Sequence, residues 1–262
     1  MFDRIKMAFL IFLHPQSPAA IYKNPLSLPK NILARTLNVY LKLVNRLSPK
    51  ENVTCNICGW HGRKFGYTAA ISVDSFRSNE ICLQCGSNHR TRTLIDILSQ
   101  NVSFLNENVT VADVGASKAT RRYFAKFPHV KYLSVDRFKN SDIVCDITNI
   151  KLPNDSVEIV LCCHTLEHVL DYKKGFSELY RILKPGGRGI IAVPQTESLK
   201  DSRQLKTETF YGYGHIWEFG NDFADKLKEV GFEVKTVYDS FDKNNALLEF
   251  IPYHIVNKPE MP

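Results

Sequence analysis

At 262 residues and 44% apolar content, the chain can fill one good core, or one domain plus a small module, and it contains no internal repeat or low-complexity tract. No apolar run approaches the roughly 20 residues of a membrane-spanning helix. Seven cysteines, an odd count without a secretory signal, point to a reducing compartment, the cytoplasm. The net charge of +7 belongs to the front: residues 1–100 carry 13 Lys and Arg against 5 Asp and Glu, +8, while residues 101–262 carry 21 against 22, −1. A basic segment of this kind meets nucleic acid, an anionic membrane surface or an anionic substrate, or is simply a solvated surface.

The opening MFDRIKMAFLIFLHP has a short apolar run but no small-residue cleavage site before Pro15, so it reads as a partly buried helix or a floppy end. Residues 1–50 form an N-terminal helical, basic extension holding five of the twelve prolines, which breaks it into pieces. Within it Asn31–Leu47 is proline-free. Apolar residues at 33, 37, 40, 41, 44 and 47 predict one helical face, with Arg35, Lys42 and Arg46 elsewhere. Packing on the rest of the protein is the favoured use of that face, and peripheral membrane contact is the sharper alternative.

Residues 51–90 hold Cys55 and Cys58 in CNICG, then Cys82 and Cys85 in CLQCG, with 23 residues between the pairs. Each Cys-x-x-Cys-Gly makes a tight turn that points two thiolates at one ion, and the glycine lets the backbone turn. Two such knuckles close a tetrahedral four-thiolate site with no open position, which is structural chemistry. Zinc is the default ion, and iron fits the same cage.

From residue 91 the pattern changes. TRTLIDILSQ reads as a linking helix. VTVADVG, VKYLSVD, DIVCDI, VEIVLCCHT, RGIIAVP and FEVKTVY then read as strands, most of them separated by stretches long enough for crossovers. Cys145, Cys162 and Cys163 lie inside these strands. The pattern predicts a Rossmann-like, doubly wound, mostly parallel α/β sheet over residues 91–262.

Ligands of such a sheet sit at the carboxyl ends of its strands, where strand order reverses. Asp113 and Gly115 close the first strand, Asp136 the second and Asp146 the third. A carboxylate at the second strand end can accept bonds from both ribose hydroxyls, and Asp146 can accept one from an exocyclic amine. The phosphate-cradling GxGxxG and GxxxxGK[ST] patterns are absent. A nucleoside without phosphates therefore fits better than NAD or ATP.

From about residue 109 to 239 the sequence resembles a class I S-adenosylmethionine-dependent methyltransferase, type 11-like, with LPNDSVEIVLCCHTLEHVLDYKKGFSELYRILKPGGRGIIAVP the most similar stretch. Together with CNICG…CLQCGSNHRTR and GHIWEFGNDFADKLKEVGFEV it is similar to a narrower bacterial group that carries a four-cysteine zinc ribbon before the methyltransferase domain. The resemblance implies a seven-stranded sheet and S-adenosylmethionine as cofactor. It implies that Gly115, Ala116 and Ser117 line the methionine part, and that Asp136, with Arg137 beside it, holds the ribose. It assigns Asp146 and Ile147 to the adenine, places His164 beside the sulfonium, and has Asp113 shape the loop or hold the cofactor's amino group. Many members have glycine where Ser117 and Ala119 stand. Both are small, so the loop reads as adapted.

A general base helps only where the acceptor must lose a proton. The candidates are His164, Glu167 and His168 in HTLEH, and His215 in GYGHIWEFG. On a helix beginning near Thr165, Glu167 and His168 would point to different places. Family members often have Arg soon after the later His. Here Ile216 and Trp217 follow, which implies a different acceptor pocket. Tyr211, Tyr213, Trp217 and Phe219 either stack on a sugar or base or pack the loop. Three functions follow: methyl transfer to a small-molecule or carbohydrate-type acceptor, as in surface glycan synthesis; RNA methylation with the basic ribbon, including His89, Arg90 and Arg92, docking nucleic acid; or a non-catalytic binding module.

Overall fold

The computed structural model describes residues 27–69, 76–102, 108–206, 214–238 and 251–260. The apolar run at 1–15, Tyr211 and Tyr213 lie outside them. The chain divides into two compact units, residues 1–92 and 93–262. The helical extension and the cysteine segment, separate in the sequence reading, fall in one unit.

In the first unit, α1 (Ser27–Leu47) carries Pro29 in its first turn, where backbone N–H groups have no helical partner to lose. It packs on β3 (Gly66–Ala69), which pairs antiparallel with β4 (Phe76–Ile81). The packed face differs from the one the apolar spacing predicts. Ala34 and Leu41 are buried, whereas Leu33, Tyr40 and Leu47 are exposed. The reason is polar. The Asn38 side chain accepts from the Tyr67 N–H at 2.7 Å and donates to the Tyr67 carbonyl at 2.8 Å, and Asn45 accepts from the Arg63 N–H. Two asparagines complete the hydrogen bonds of an adjacent backbone, so they face inward and turn the helix. β1 (Val53–Thr54) and β2 (His61–Gly62) flank the first knuckle, and the second follows β4. α2 (His89–Asn101) then begins, with the Asn88 side chain accepting from the Thr91 N–H.

The second unit is a seven-stranded sheet in the order β12-β13-β9-β8-β5-β6-β7. β5 (Thr110–Val114), β6 (Lys131–Asp136), β7 (Ile143–Val144), β8 (Val157–Cys163) and β9 (Leu183–Ala192) are mutually parallel. Outside this sheet β10 (Arg203–Gln204) pairs with β11 (Trp217–Glu218); within it β12 (Glu233–Val237) pairs with β13 (Tyr253–Asn257), which runs antiparallel to β9. β5 and β8 are almost wholly buried, as a strand covered on both faces must be. The chain leaves β5 toward β6 and β7, then returns to the other side of β5 with β8. The switch point thus lies between the carboxyl ends of β5 and β8.

Three differences from the sequence reading concern backbone detail. β7 is two residues long, so Cys145 lies just beyond it, not in a strand. β9 begins at Leu183, opposite Val157, and resumes pairing at Arg188, opposite Ile159, so Pro185-Gly186-Gly187 forms an irregularity inside a strand. The helix expected from Thr165 is a single 3₁₀ turn, Leu166–His168, and α4 (Tyr172–Ile182) starts only after Asp171 has capped it through the Lys174 N–H. Tyr172, Phe176, Phe219 and Phe223 pack edge to face beneath this region.

Candidate active site and metal centre

The turn from β5 into α3 (Lys118–Phe124) is built around one glycine. Gly115 has φ +75°, and a Cβ there would stand 2.1 Å from Thr165 Oγ1. Both facts demand glycine. Ser117 does other work. It caps α3, accepting from the Thr120 N–H at 3.0 Å while its own N–H donates to Thr120 Oγ1 at 3.1 Å. That is a capping box, and glycine could not make it. Asp113 is buried beneath the turn and accepts the Tyr132 hydroxyl at 2.6 Å. Burial raises its carboxyl above the usual range, against the bond from Tyr132.

A cavity of about 690 Å³ opens at the switch point. Gly115, Asp136, Arg137, Asp146, Ile147, His164 and His168 all line it. Asp113, Ala116 and Ser117 are not among its lining residues. Asp136 is half-buried at the end of β6. Asp146 caps a 3₁₀ turn, Ile147–Asn149, accepting from the Thr148 N–H at 2.9 Å and hydroxyl at 2.8 Å. Those two bonds, with the Arg137 charge, hold its carboxyl below the ordinary value. Phe138 and Thr165, absent from the sequence candidates, also line the cavity, and Phe138 is 63% exposed. The signal available was position: Phe138 stands two residues past Asp136.

His164 is the second left-handed residue of the site, with φ +55° at the end of β8. A non-glycine residue in that conformation costs roughly 1 kcal/mol or more and clusters at functional sites. Gly115 and His164 thus end neighbouring strands, and both border the cavity. The 3₁₀ turn changes the neighbourhood of His164. Glu167 Oε1 lies 3.6 Å from His164 Nδ1 and 4.0 Å from His168 Nε2, so the two adjacent side chains of Glu167 and His168 converge, contrary to the helical expectation. His215 is buried and packs edge to face on the His168 ring at 4.8 Å between centroids. It does not line the cavity itself. Phe219 is fully buried, and the Trp217 indole stacks on it and donates to the Leu170 carbonyl, so both pack the fold.

In the first unit the four predicted thiols converge, with all Sγ atoms within 4.8 Å of one another. Cys55 and Cys85 Sγ are 3.8 Å apart, and Cys58 and Cys82 are 3.7 Å apart. Metal–sulfur bonds of about 2.3 Å in a tetrahedron put neighbouring sulfurs about 3.8 Å apart, so the donor set fits a four-thiolate ion and the spacing is far too long for a disulfide. The knuckles are conformational copies. Gly59 and Gly86 both have φ +73°, and each donates its N–H to the first cysteine's carbonyl. Arg92 is buried beside them, donating to the Ser87 and Glu80 carbonyls and lying 3.6 Å over the Phe65 ring. Burial lowers its pKa, while the Cys55 charge and those of Glu80, Cys82 and Cys85 favour the cation. Its charge is buried against the four-cysteine cluster and is not offered to nucleic acid.

Residues 84–191 match the Methyltransf_11 family, described as a methyltransferase domain. A 25S rRNA (adenine(645)-N(1))-methyltransferase of Schizosaccharomyces pombe is 28% identical over 154 residues, covering 56% of this chain and 42% of that protein. A sterol 24-C-methyltransferase of Kluyveromyces lactis is 24% identical over 200 residues, 73% of this chain and 49% of that one. The chain spans between 29% and 52% of the length of the curated relatives it matches. In fold it is similar to the 1,6-didemethyltoxoflavin-N1-methyltransferase of Burkholderia thailandensis, solved with S-adenosylhomocysteine, at a TM-score of 0.52 and 16% identity over 66% of this chain and 79% of that one. The strand order and the switch-point cavity define an α/β domain of the class I type. Residues 84–191 are thus similar to a methyltransferase domain, and the sheet they help to build has the class I methyltransferase fold.

Proposed function

We propose that the protein transfers a methyl group to a small-molecule or carbohydrate-type acceptor. The observation that carries this is the meeting of Gly115, Asp136, Asp146 and His164 on one cavity at the switch point. A cavity of this size suits a ligand of nucleoside-amino-acid dimensions. S-adenosylmethionine supplies an electrophilic methyl on sulfur. Asp136 accepts from the ribose hydroxyls, Asp146 and the Ile147 backbone take the adenine edge, and the open backbone of Gly115 accommodates the methionine part. Asp113 acts from below, fixing the turn through Tyr132. His164 and His168 face the acceptor end, and His215 supports His168 from behind. We assign zinc to the four thiolates, in a structural role.

Calorimetric titration with S-adenosylmethionine and S-adenosylhomocysteine tests the reading. Both bind the wild-type protein, and Asp136→Ala weakens them by about 10- to 100-fold, the loss of one or two charge-assisted hydrogen bonds. A wild-type protein that folds but binds neither ligand sinks it.

Two partner readings have specific support. The +8 balance of residues 1–100 and the rRNA-modifying relative favour RNA, although Arg92 is unavailable to it. Retention on RNA that falls steeply with salt is the discriminating result. The exposed side of α1 favours an anionic membrane surface. Ile32, Leu33, Val39, Tyr40, Leu43 and Leu47 are exposed. At about 100° per residue they form one stripe, with Arg35, Lys42 and Arg46 along its flank. The helix contains no acidic residue. Apolar stripe, basic edge and missing acids together match anionic lipid.

A further inference from the structure

The four-cysteine cluster is not the only metal-ligand set among the described residues. One ligand atom each from Glu167, His168 and His215 lies within 4.8 Å of the others. We propose that these three residues form a second metal centre, a divalent transition-metal site of two imidazoles and one carboxylate at the acceptor end of the cofactor cavity.

Burial gives the first argument. Glu167 is 1% exposed and His215 7%, while His168 opens on the cavity. A carboxylate withdrawn from water needs positive charge close by. His164 Nδ1 lies 3.6 Å and His168 Nε2 4.0 Å from Glu167 Oε1, and a cation shared with His168 and His215 would add such charge at the carboxylate.

The tautomer of His168 gives the second. Its Nδ1 lies 3.1 Å from the Gly214 carbonyl oxygen. A carbonyl only accepts, so Nδ1 carries the hydrogen and donates. In the neutral ring Nε2 then presents a lone pair toward the Glu167 carboxylate. Lone pair and carboxylate repel unless a cation lies between them. A backbone carbonyl that fixes one ring nitrogen so the other can ligate is the usual support of a metal-binding histidine.

Spacing gives the third. Ligands sharing an ion at about 2.1 Å stand roughly 3.0 to 4.2 Å apart, depending on the angle between them. The His168–Glu167 separation of 4.0 Å is already in range. Separations up to 4.8 Å close with a side-chain movement of about half an ångström.

Two imidazoles and a carboxylate suit Mn²⁺, Fe²⁺ or Zn²⁺ and leave coordination positions open. Those positions belong to the cavity side, where His168 reaches it. An acceptor oxygen coordinated there has its hydroxyl pKa lowered, and the proton passes to bulk water. This role toward the acceptor rests on the methyl-transfer reading; the metal site does not.

The test uses full-length protein with its four-cysteine site saturated by zinc. Mn²⁺ is titrated in, and the fall of the free-ion electron paramagnetic resonance signal is followed. One Mn²⁺ binds per chain, with nitrogen couplings from two imidazoles in the spin-echo modulation. Glu167→Gln and His215→Ala weaken uptake at least tenfold, while S-adenosylhomocysteine binding and the circular dichroism spectrum stay unchanged. No Mn²⁺ uptake by the wild-type protein, or equal uptake by the variants, overturns the site, and the spin-echo result needs no variant. Mn²⁺ uptake without S-adenosylhomocysteine binding overturns the methyl-transfer reading and leaves the metal site standing.

Discussion

The fate of single side chains shows why the VADVGAS turn closes with one glycine. Gly115 is required twice, by its positive φ and by Thr165, whereas Ser117 is wanted as a helix cap. Gly115→Ala should therefore reduce S-adenosylhomocysteine affinity by tenfold or more in calorimetry. Adding Thr165→Ala should recover part of the loss by removing the collision but not the backbone strain, and full recovery would show that φ is irrelevant. A second residue controls stability rather than binding. His254 on β13 is buried between the Gln195 amide at 2.7 Å and the Thr236 hydroxyl at 3.0 Å, and burial lowers its pKa to about 4. In the unfolded chain it titrates near about 6.5, so between those values the unfolded state binds more protons. The stabilisation is complete above about pH 6.5 and is lost as pH falls toward 4, by about 3 kcal/mol. Urea midpoints measured across that window should fall steeply for the wild-type protein. They should fall less for His254→Gln, and parallel curves would assign the pH dependence to other groups. Nothing in YHIVN announced this histidine, because its burial depends on a strand order that reads only in three dimensions.

Elements were legible where their pattern was local. The runs ending in Asp113 and Asp136 are strands with the expected ends, and each Cys-x-x-Cys-Gly is a knuckle with its glycine left-handed. β13 was missed because Tyr253–Asn257 is a short run with no turn signal, placed by pairing with β9 and β12. The HTLEH segment was misread as helix because its residues suit one. In the structure the Ile216 N–H donates to the Glu167 carbonyl at 2.7 Å, so a backbone bond to a distant loop replaces the helical ladder. This misreading hid the convergence of Glu167 and His168. For α1 the period was right and the face was wrong, since two asparagines turned the apolar stripe outward. The stripe makes a prediction of its own. The protein should co-sediment with vesicles containing phosphatidylglycerol, less so in high salt, and not with pure phosphatidylcholine. Val39→Glu combined with Leu43→Glu should abolish the binding, because charged side chains cannot enter the acyl boundary. Unchanged sedimentation of that variant would remove α1 from any membrane role.

The molecule as a whole combines two units stabilised in different ways. The second owns the large core, from Ala112 to Val256, with all the sheet's central strands in it. The first buries far less: among its described residues the buried apolar side chains are few, and two of them, Cys55 and Cys82, belong to the four-thiol cluster. On the zinc assignment proposed above, a unit of that size would depend on its ion for much of its folding free energy, since binding by four thiolates is coupled to closing the chain between the knuckles. Arg92 strengthens the dependence. With an ion bound, its buried charge would face thiolates, and these would become protonated once the ion left. A strong chelator should therefore remove hydrogen-exchange protection from α1, β3 and β4 while the strands β5, β8 and β9 keep theirs. S-adenosylhomocysteine affinity should change by less than about threefold, because the cavity is lined only by residues of the second unit. Loss of S-adenosylhomocysteine binding together with zinc would mean that the two units fold as one cooperative system, with the ribbon's ion sustaining the catalytic sheet. Retained binding would make the ribbon a module whose work lies outside the methyl-transfer chemistry, in whatever surface or acceptor its basic helix meets.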